Sequence, residues 1–540
     1  MLIKVDEFAG MSEAVTSRLL DSKFATKAVN CRVDRGALEP IRAPSVIRPL
    51  PIFANTIFRY SGDHWFTWGN DVDAVRATIP YDTTDRVYYT GHVYPRQTRN
   101  DIALGGTVLP NNSYRLGVPV PPAPSAQVVG DPDPDQEGLE NTVYYVVTYV
   151  TAWGEEGPPS LPSNPVTITE GQAVNVGLPA MPSGNYNFFN DAAIKRIYRS
   201  NAGTGAGAFQ FLAQTHRTAD VYTDVVRSDM LGEVLPSSLW DGPPDDNLQR
   251  YASGQMRGLR SMANGTYVGF SGNTLVFSES YLGHAWPYSY PIKDKIVAIE
   301  VTSAGVLVAT EDRPVIALGS SGQSMVIQEL DERQACVSKR SMVDMGEYAI
   351  YASPDGLVGL ENGSAQLLTK GLFRREVWQR FKPETIRAFK WEDKYVGFYK
   401  DGFTEGGFIF TPGDQKNAFI ELSFYAQAGY YDGLTDALFM AQGNNLTKFD
   451  AGNVVPYTWR SKKFQLPRPA PMSVLQVIAD TYPVSVKIIK DDGELTYSVP
   501  NDDPIRLATG RSHAWQFEVT GTNIVHSVAL AQSVAEISNA

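Results

Sequence analysis

The sequence predicts an all-β protein with a β-propeller body, an inserted fibronectin-like or immunoglobulin-like sandwich, and a C-terminal β-sandwich. Three observations support this prediction. Apolar and polar residues alternate with a period of two along much of the chain, short apolar runs end on Gly, Pro, Asn or Asp, and a strand and turn unit recurs about every 40 residues in the second half. Helical spacing occurs at 11–22 and 375–381 alone, and both stretches are short.

The length of the chain indicates several domains. A single hydrophobic core usually stops growing near about 250 to 300 residues, whereas this chain has 540. Apolar residues make up 43% of the sequence and charged residues 20%, so there are enough apolar side chains to fill real cores.

The first part of the chain is predicted to hold two elements. Residues 1–50 carry little strand signal, and we expect an N-terminal docking arm that orders on a partner. Residues 51–117 are expected to supply the first propeller strands, because the stretch 57–92 has the strand and turn rhythm of the later repeats and could close the ring.

Residues 118–245 are predicted to form the inserted sandwich. A Pro-rich connector at 115–138 leads into a strongly alternating segment at 141–153, and more short apolar runs follow. Seven or so strands in about 120 residues are typical of an immunoglobulin-like or fibronectin-like domain. A surface loop is a natural place for such an insertion.

Residues 246–455 are predicted to form the propeller blades. In one copy of the repeat, "SPDGLVGLENGS", the pairs Asp355-Gly356 and Asn362-Gly363 supply the positive φ angles that two-residue hairpin turns need. The alternative is a set of unrelated hairpins in sandwiches, since no copy carries a Trp-Asp signature. Five copies of the repeat are found, at 259–280, 296–320, 341–369, 386–412 and 425–450.

Residues 456–540 follow a Pro-rich joint and continue as regular strands. The alternation at 482–499 and at 514–521 is strong, and it predicts a last small β-sandwich.

Charge and cysteine content limit the function classes. A net charge of −12 argues against a protein that grips nucleic acid by neutralising phosphates, because such proteins display a basic face. Cys31 and Cys336 are expected to be free thiols, which fits synthesis in a reducing cytoplasm. We find neither a signal peptide nor an apolar run long enough to span a membrane, and therefore expect a soluble protein.

A search for catalytic and ligand-binding motifs finds little. The stretch "GTGAGAF" at 203–209 lacks the lysine of a phosphate-binding loop, and "GEEGPPS" at 154–160 lacks the alternating oxygen ligands of a calcium loop and is better explained as a β-turn. No G-x-S-x-G elbow surrounds a serine. The six histidines show no metal-ligand spacing: His64, His92, His216, His284, His513 and His526.

Acidic pairs also point to ordinary turns. Asp245-Asp246, Asp491-Asp492 and Asp502-Asp503 lie in predicted turns, where solvated carboxylates are common. We therefore predict no catalytic, cofactor-binding or metal-binding residue, no cofactor, no small-molecule substrate and no enzymatic activity.

Three stretches together resemble a known group of proteins. The opening 8–44 contains the run "A..A.NC....G.L.P.R.P", the stretch 114–163 looks like an inserted fibronectin-like module, and the end from 459 looks like a terminal domain. They are similar to the tail nozzle, or tail tubular B-like, proteins of short-tailed bacteriophages. The matching residues of the opening are Ala25, Ala28, Asn30, Gly36, Leu38, Pro40, Arg42 and Pro44.

The resemblance implies a structural virion protein made in the host cytoplasm. It implies a homo-oligomer, a hexameric ring below the tail adaptor or portal-proximal protein, with a central channel that is closed before infection and side surfaces that seat tail fibres. DNA would pass through without specific binding, and an acidic lumen would repel its phosphates.

Two other functions remain open at this stage. A receptor-binding or tail-fibre protein would be a trimer with an elongated, repetitive stem. A carbohydrate-active propeller enzyme would need carboxylates that face each other across a cleft.

Overall fold

A computed structural model of the chain describes residues 1–132, 140–201, 208–303, 305–361, 363–413, 418–508 and 510–538. The chain folds as two compact units. The first comprises Met1–Gly69, Val297–Ala317 and Gln328–Ala540, and the second comprises Asn70–Ile296 and Leu318–Ile327. Regular structure in both is almost entirely β, as the sequence predicts.

Helices are few and short in the described residues. The α-helices are α1 (Asn100–Ala103), α2 (Arg375–Trp378) and α3 (Val534–Ser538). Short 3-10 turns lie at Ser228–Met230, Gly322–Ser324, Lys339–Ser341, Gln379–Phe381 and Pro383–Thr385. Within the ranges that the structure covers, no helix has the length and apolar character needed to cross a bilayer.

The two helical predictions had different outcomes. The prediction at 375–381 is confirmed, since α2 continues into a 3-10 turn there and buries Trp378 and Phe381. The prediction at 11–22 is wrong, because this stretch forms bends and turns. The N–H groups of Met11, Ser12 and Glu13 donate to carbonyls of distant segments, so tertiary hydrogen bonds replace those of a helix.

The N-terminal 50 residues contain more strand than the sequence predicted. They form β1 (Leu2–Val5), β2 (Lys27–Val29), β3 (Cys31–Arg32), β4 (Glu39–Pro40) and β5 (Ser45–Pro49). Most of these strands are too short to show an alternating pattern, which explains the error. The docking role assigned to this arm stays a prediction.

A hairpin and a first four-stranded sheet come next. The hairpin is β6 (Thr56–Ser61) and β7 (His64–Trp68) in the first unit. In the second unit, the antiparallel sheet consists of β8 (Asp73–Arg76), β9 (Val87–Thr90), β10 (Arg96–Thr98) and β11 (Tyr114–Arg115).

The insert folds as a sandwich in the second unit. Its sheets are β12-β16-β19, β14-β17-β18 and β13-β15, and their inward side chains share one core that includes Val147, Val176 and Ile197. The strands are β12 (Ser125–Val128), β13 (Glu140–Val143), β14 (Tyr145–Val150), β15 (Val166–Thr169), β16 (Val174–Gly177), β17 (Ile194–Ser200), β18 (Phe209–His216) and β19 (Val221–Asp224).

Each of the five predicted repeats contributes to a blade of the β-propeller type. Strands that are neighbours in sequence are neighbours in each sheet, and β5 completes the last one. The strands are β20 (Arg257–Ser261), β21 (Tyr267–Ser271), β22 (Thr274–Phe277), β23 (Tyr288–Pro291), β24 (Ile296–Thr302), β25 (Gly305–Thr310), β26 (Val315–Leu318), β27 (Val326–Glu329), β28 (Val343–Asp344), β29 (Ala349–Ser353), β30 (Gly356–Glu361), β31 (Ser364–Leu367), β32 (Arg387–Trp391), β33 (Lys394–Asp401), β34 (Thr404–Thr411), β35 (Ala418–Leu422), β36 (Ala428–Asp432), β37 (Ala437–Gln442) and β38 (Asn445–Lys448).

Only the second of the two predicted glycine turns has its glycine at a central turn position. Gly363 lies between the paired residues Glu361 and Ser364. Gly356 instead pairs with Ser353, so Pro354 and Asp355 form that turn, and Asp355 does not have a positive φ. Gly356 has a φ of +155° and opens β30, and a Cβ there would lie 2.1 Å from Thr369 Oγ1. Gly363 has a φ of +93°, while its predicted turn partner Asn362 lies outside the described residues.

The C-terminal residues form two sheets over a shared core that contains Leu475, Phe517 and Val528. One sheet has the order β1-β46-β41-β44, and the other runs through β39-β45-β42-β43 with β40 also on β45. These strands are β39 (Tyr457–Arg460), β40 (Phe464–Pro471), β41 (Val474–Ala479), β42 (Val484–Lys490), β43 (Gly493–Val499), β44 (Ile505–Arg506), β45 (Arg511–Gly521) and β46 (Val525–Ala531).

Candidate functional site

The matching residues of the opening, which carry one part of the sequence resemblance, lie at 25–44, and we call this stretch the joining segment. Its strand β2 pairs in parallel with blade strand β35 through Val29 and Glu421. On its other side β2 pairs antiparallel with β39, where Lys27 is opposite Arg460. The blade β32–β35 and the C-terminal domain thereby belong to one ten-stranded sheet.

Small residues let the chain approach this sheet closely. Ala25 and Ala28 are fully buried. The preceding Gly10 lies so near β35 that a Cβ would be 2.4 Å from the Phe419 backbone nitrogen, and Met11 N donates to Phe419 O at 2.8 Å. At Gly10, Ala25 and Ala28 the backbone therefore lies in space that larger side chains would otherwise occupy.

Asn30 fixes the segment to the blade. Its backbone has a φ of +54°, which Asn adopts more readily than most residues. Asn30 N donates to Glu421 O at 2.9 Å, and the side chain accepts from Ser423 N at 3.0 Å and donates to Ser423 Oγ at 2.8 Å. Three hydrogen bonds from one residue hold the end of β2 in register with β35.

The rest of the joining segment contacts the C-terminal domain and the last blade. Leu38 is fully buried, and it exchanges two backbone hydrogen bonds with Val525, the first residue of β46. Arg42 N donates to Asp450 Oδ1 at 2.7 Å, and Arg32 Nη2 lies 3.0 Å from Asp450 Oδ2. Burial raises the pKa of Asp450, although these donors act in the opposite direction.

The joining segment has little reactive chemistry. Cys31 and Cys336 are both buried and free, as the sequence predicts. Burial raises the pKa of the Cys336 thiol to about 12 and that of Cys31 further still. Both are therefore poor nucleophiles at neutral pH.

A second notable site lies in the other unit, where the loop after β14 meets the sheet β8–β11. Gly154 N donates to Thr151 O at 2.9 Å, so the predicted β-turn is present. The two glutamates that follow are buried, however, which the sequence did not indicate. Glu155 Oε1 accepts from Arg86 Nη1 at 2.7 Å, and Oε2 accepts from Gln97 Nε2 at 3.0 Å.

Glu156 is held from the opposite side, inside the insert. Its Oε1 accepts from Thr148 Oγ1 and from Tyr198 OH, both at 2.6 Å, and its Oε2 accepts from Arg196 Nη1 at 2.6 Å. All four carboxylate oxygens of Glu155 and Glu156 thus accept hydrogen bonds from the protein. Glu155 thus binds the loop to the sheet β8–β11, and Glu156 binds it to the insert. Together the two glutamates join the insert to that sheet.

Aromatic residues lie near this carboxylate pair and contact one of its arginine partners. The Trp153 ring lies 4.9 Å from the Arg86 guanidinium and 4.4 Å from that of Arg99. His284 is buried against Trp240, with ring centroids 5.7 Å apart. Burial lowers the pKa of His284, and Arg86 contributes in the same direction while Glu155 opposes it.

The other acidic and histidine residues considered in the sequence are dispersed. Asp491 and Asp492 lie in the turn between β42 and β43, paired with Lys463 and Lys490. His216 and His526 are exposed and each contacts one aspartate. Across the ranges that the structure covers, no group of three or more His, Cys, Asp or Glu is arranged to hold a metal ion.

Two other predicted turns lie in the second unit, and only one of them is fully described. Asp245 and Asp246 both contact Arg115 near the surface. Residues 203–207 of the glycine-rich stretch lie outside the described residues, but the strands on either side of it, β17 and β18, pair antiparallel as predicted.

No protein-family model and no curated protein matches the sequence. Among solved structures, the chain is similar to the N-terminal domain of Nup159, with 9% identity and a TM-score of 0.27 over 49% of this chain and 76% of that one. It is also similar to Saccharomyces cerevisiae Sqt1, with 8% identity and a TM-score of 0.28 over 77% and 100%. A third is YCF48 from Cyanidioschyzon merolae, with 11% identity and a TM-score of 0.24 over 83% and 98%. Likenesses this weak say nothing about function.

Proposed function

We propose that the chain is a structural virion protein that forms the distal ring, or nozzle, of a short bacteriophage tail. In this role it is a conduit and gate for DNA ejection and a platform for tail fibres. The ring is a hexamer of this chain, seated on the tail adaptor or portal-proximal protein. DNA passes through it without specific binding.

The joining segment is the observation that supports this proposal most directly. The residues of the opening that resemble nozzle proteins include those of β2, which links a blade to the C-terminal domain through backbone hydrogen bonds to β35 and β39. A ring that holds DNA under pressure needs subunits that do not flex, and a continuous sheet resists bending better than two domains on a linker.

The carboxylate pair supports a mechanical role over a catalytic one. A glycosidase needs two carboxyl groups that face a substrate across several ångströms. Glu155 and Glu156 instead use every oxygen to hold Arg86, Arg196 and neighbouring polar groups. Their position fits a brace between the insert and its blade.

Native mass spectrometry and negative-stain electron microscopy of the purified chain test the proposal. We expect six copies in a closed ring with a central channel. Three copies in an elongated particle would support the receptor-binding alternative, and turnover of glycans would support the propeller enzyme. A chain that stays monomeric at all concentrations would contradict the nozzle.

A further inference from the structure

Strand β1 has one unpaired edge. Among the residues that the structure describes, it lies at the end of its sheet and pairs only with β46, with Leu2 opposite Ala531. The carbonyl of Ala531 accepts from Ser473 N at 2.9 Å on the β41 side, so it is directed away from Leu2. The alternation of an antiparallel ladder then turns the backbone N–H and C=O of Leu2 and Lys4 outward.

This edge borders a groove of about 520 Å³. The other walls are the turn residues Arg18 and Leu19 and the beginning of β40. No backbone group of the described residues bonds to Leu2 or Lys4 on the open side. The groove is therefore lined by a strand that still has hydrogen-bonding capacity for a neighbour.

The charge of the groove is opposite to that of the whole chain. Lys4, Arg18 and Lys462 line it, and no acidic residue of the described part of the chain does, although the chain carries a net charge of −12. Lys4 lies 3.7 Å from Asp6, whereas Arg18 and Lys462 have no ion-pair partner among the described residues. Leu19 adds an apolar surface that is 68% exposed.

We propose that this groove binds an extended, acidic segment of another protein, which adds to β1 as a further strand. The outward N–H and C=O groups of Leu2 and Lys4 alternate as the edge of a partner strand requires. A phosphate backbone offers only acceptors, so it leaves the carbonyls unpaired. The three cations select acidic side chains, and Leu19 with Phe464 offers contact to apolar ones.

The inference does not depend on the nozzle proposal, because it uses only the edge, the groove and their charges. The opposing explanation is that Lys4 and the short length of β1 protect an edge that never binds anything. That explanation predicts no binding of any strand-like peptide.

The probe is a fluorescein-labelled peptide of four alternating Val-Glu pairs with blocked ends. We expect saturable binding with a Kd below about 100 µM, together with slower hydrogen exchange at residues 2–5. The double variant Arg18→Glu/Lys462→Glu should weaken binding at least tenfold. Arg468→Glu is the matched control, since Arg468 is exposed on the same strand as Phe464 but does not line the groove.

Three results would overturn the proposal. They are the absence of saturable binding, equal binding of a peptide with Lys in place of Glu, and equal binding of a peptide with N-methyl groups on alternate backbone nitrogens. Tighter binding of a 20-base-pair DNA duplex, lost in the same double variant, would assign the groove to phosphates instead.

Discussion

Leu38 and Val525 exchange two backbone hydrogen bonds, at 2.9 and 3.0 Å, although 487 positions separate them in sequence. Both side chains are fully buried in the core that the joining segment shares with the C-terminal domain. This pair holds the N-terminal part of the chain against β46, the strand that begins at Val525.

Truncation of Leu38 should destabilise the first unit. Leu38→Ala leaves a cavity in a fully buried site, which typically costs about 2–5 kcal/mol of unfolding free energy. Urea unfolding followed by tryptophan fluorescence measures the loss. Leu434→Ala is the control, because Leu434 is 96% exposed and its truncation should change stability by less than about 0.5 kcal/mol. Equal effects of the two variants would refute the role given to Leu38.

Adding one methyl group at Gly10 should be more harmful than adding it at Gly69. At Gly10 a Cβ would lie 2.4 Å from a backbone nitrogen of β35, which cannot move aside, whereas at Gly69 it meets nothing within 4 Å. We expect Gly10→Ala to lower the free energy of unfolding by about 1–3 kcal/mol. Gly69→Ala should leave the free energy of unfolding nearly unchanged. Thermal unfolding of both variants measures the difference. A neutral Gly10→Ala would mean that the N-terminal segment is not seated on β35.

Neutralising the Glu155 carboxylate should destabilise the insert. Glu155→Gln leaves the buried Arg86 without its counter-charge, and such losses typically cost about 3–5 kcal/mol. Faster limited proteolysis within 118–245 and a lower melting temperature are the expected readouts. The double variant Arg86→Met/Glu155→Leu removes both charges and should recover much of the loss. Glu140→Gln, at an exposed position, is the control.

Acid should destabilise the second unit partly through His284. Its pKa in the folded chain is lower than the ordinary 6.5, chiefly because of burial. The unfolded chain therefore binds a proton more readily, and the free energy of unfolding falls as the pH drops below about 6.5. The variant His284→Phe keeps the contact with Trp240 and should show a shallower decline between pH 7.5 and 5. Identical slopes for the two proteins would exclude His284 as a contributor.

Sequence patterns predicted the strands correctly where the strands of a sheet are neighbours in sequence. The five repeat segments between 259 and 450 each became part of a sheet, because alternation and glycine turns are encoded within about 25 residues. The insert was found for the same reason. Patterns failed at β2, whose three residues are a strand only because β35 and β39 flank them.

The burial of the carboxylate pair could not be predicted from sequence patterns either, because its partners are distant in sequence. Glu155 lies 69 positions from Arg86, and Glu156 lies 40 from Arg196. Nothing within the turn itself distinguishes a buried, paired glutamate from a solvated one. The consecutive acids beside Thr148 and Thr151 were the only local signal, and that signal is weak.

The place of β2 in the ten-stranded sheet has a consequence for biosynthesis. Residues 27–29 are made well before the two strands that must flank them, because β35 and β39 follow roughly 400 residues later. At about 5–20 residues per second, the N-terminal segment waits some tens of seconds for its neighbours. Such long-range closure slows folding, so the sheet is completed late, and truncated chains that end between β35 and β39 leave β2 without one of its two neighbours.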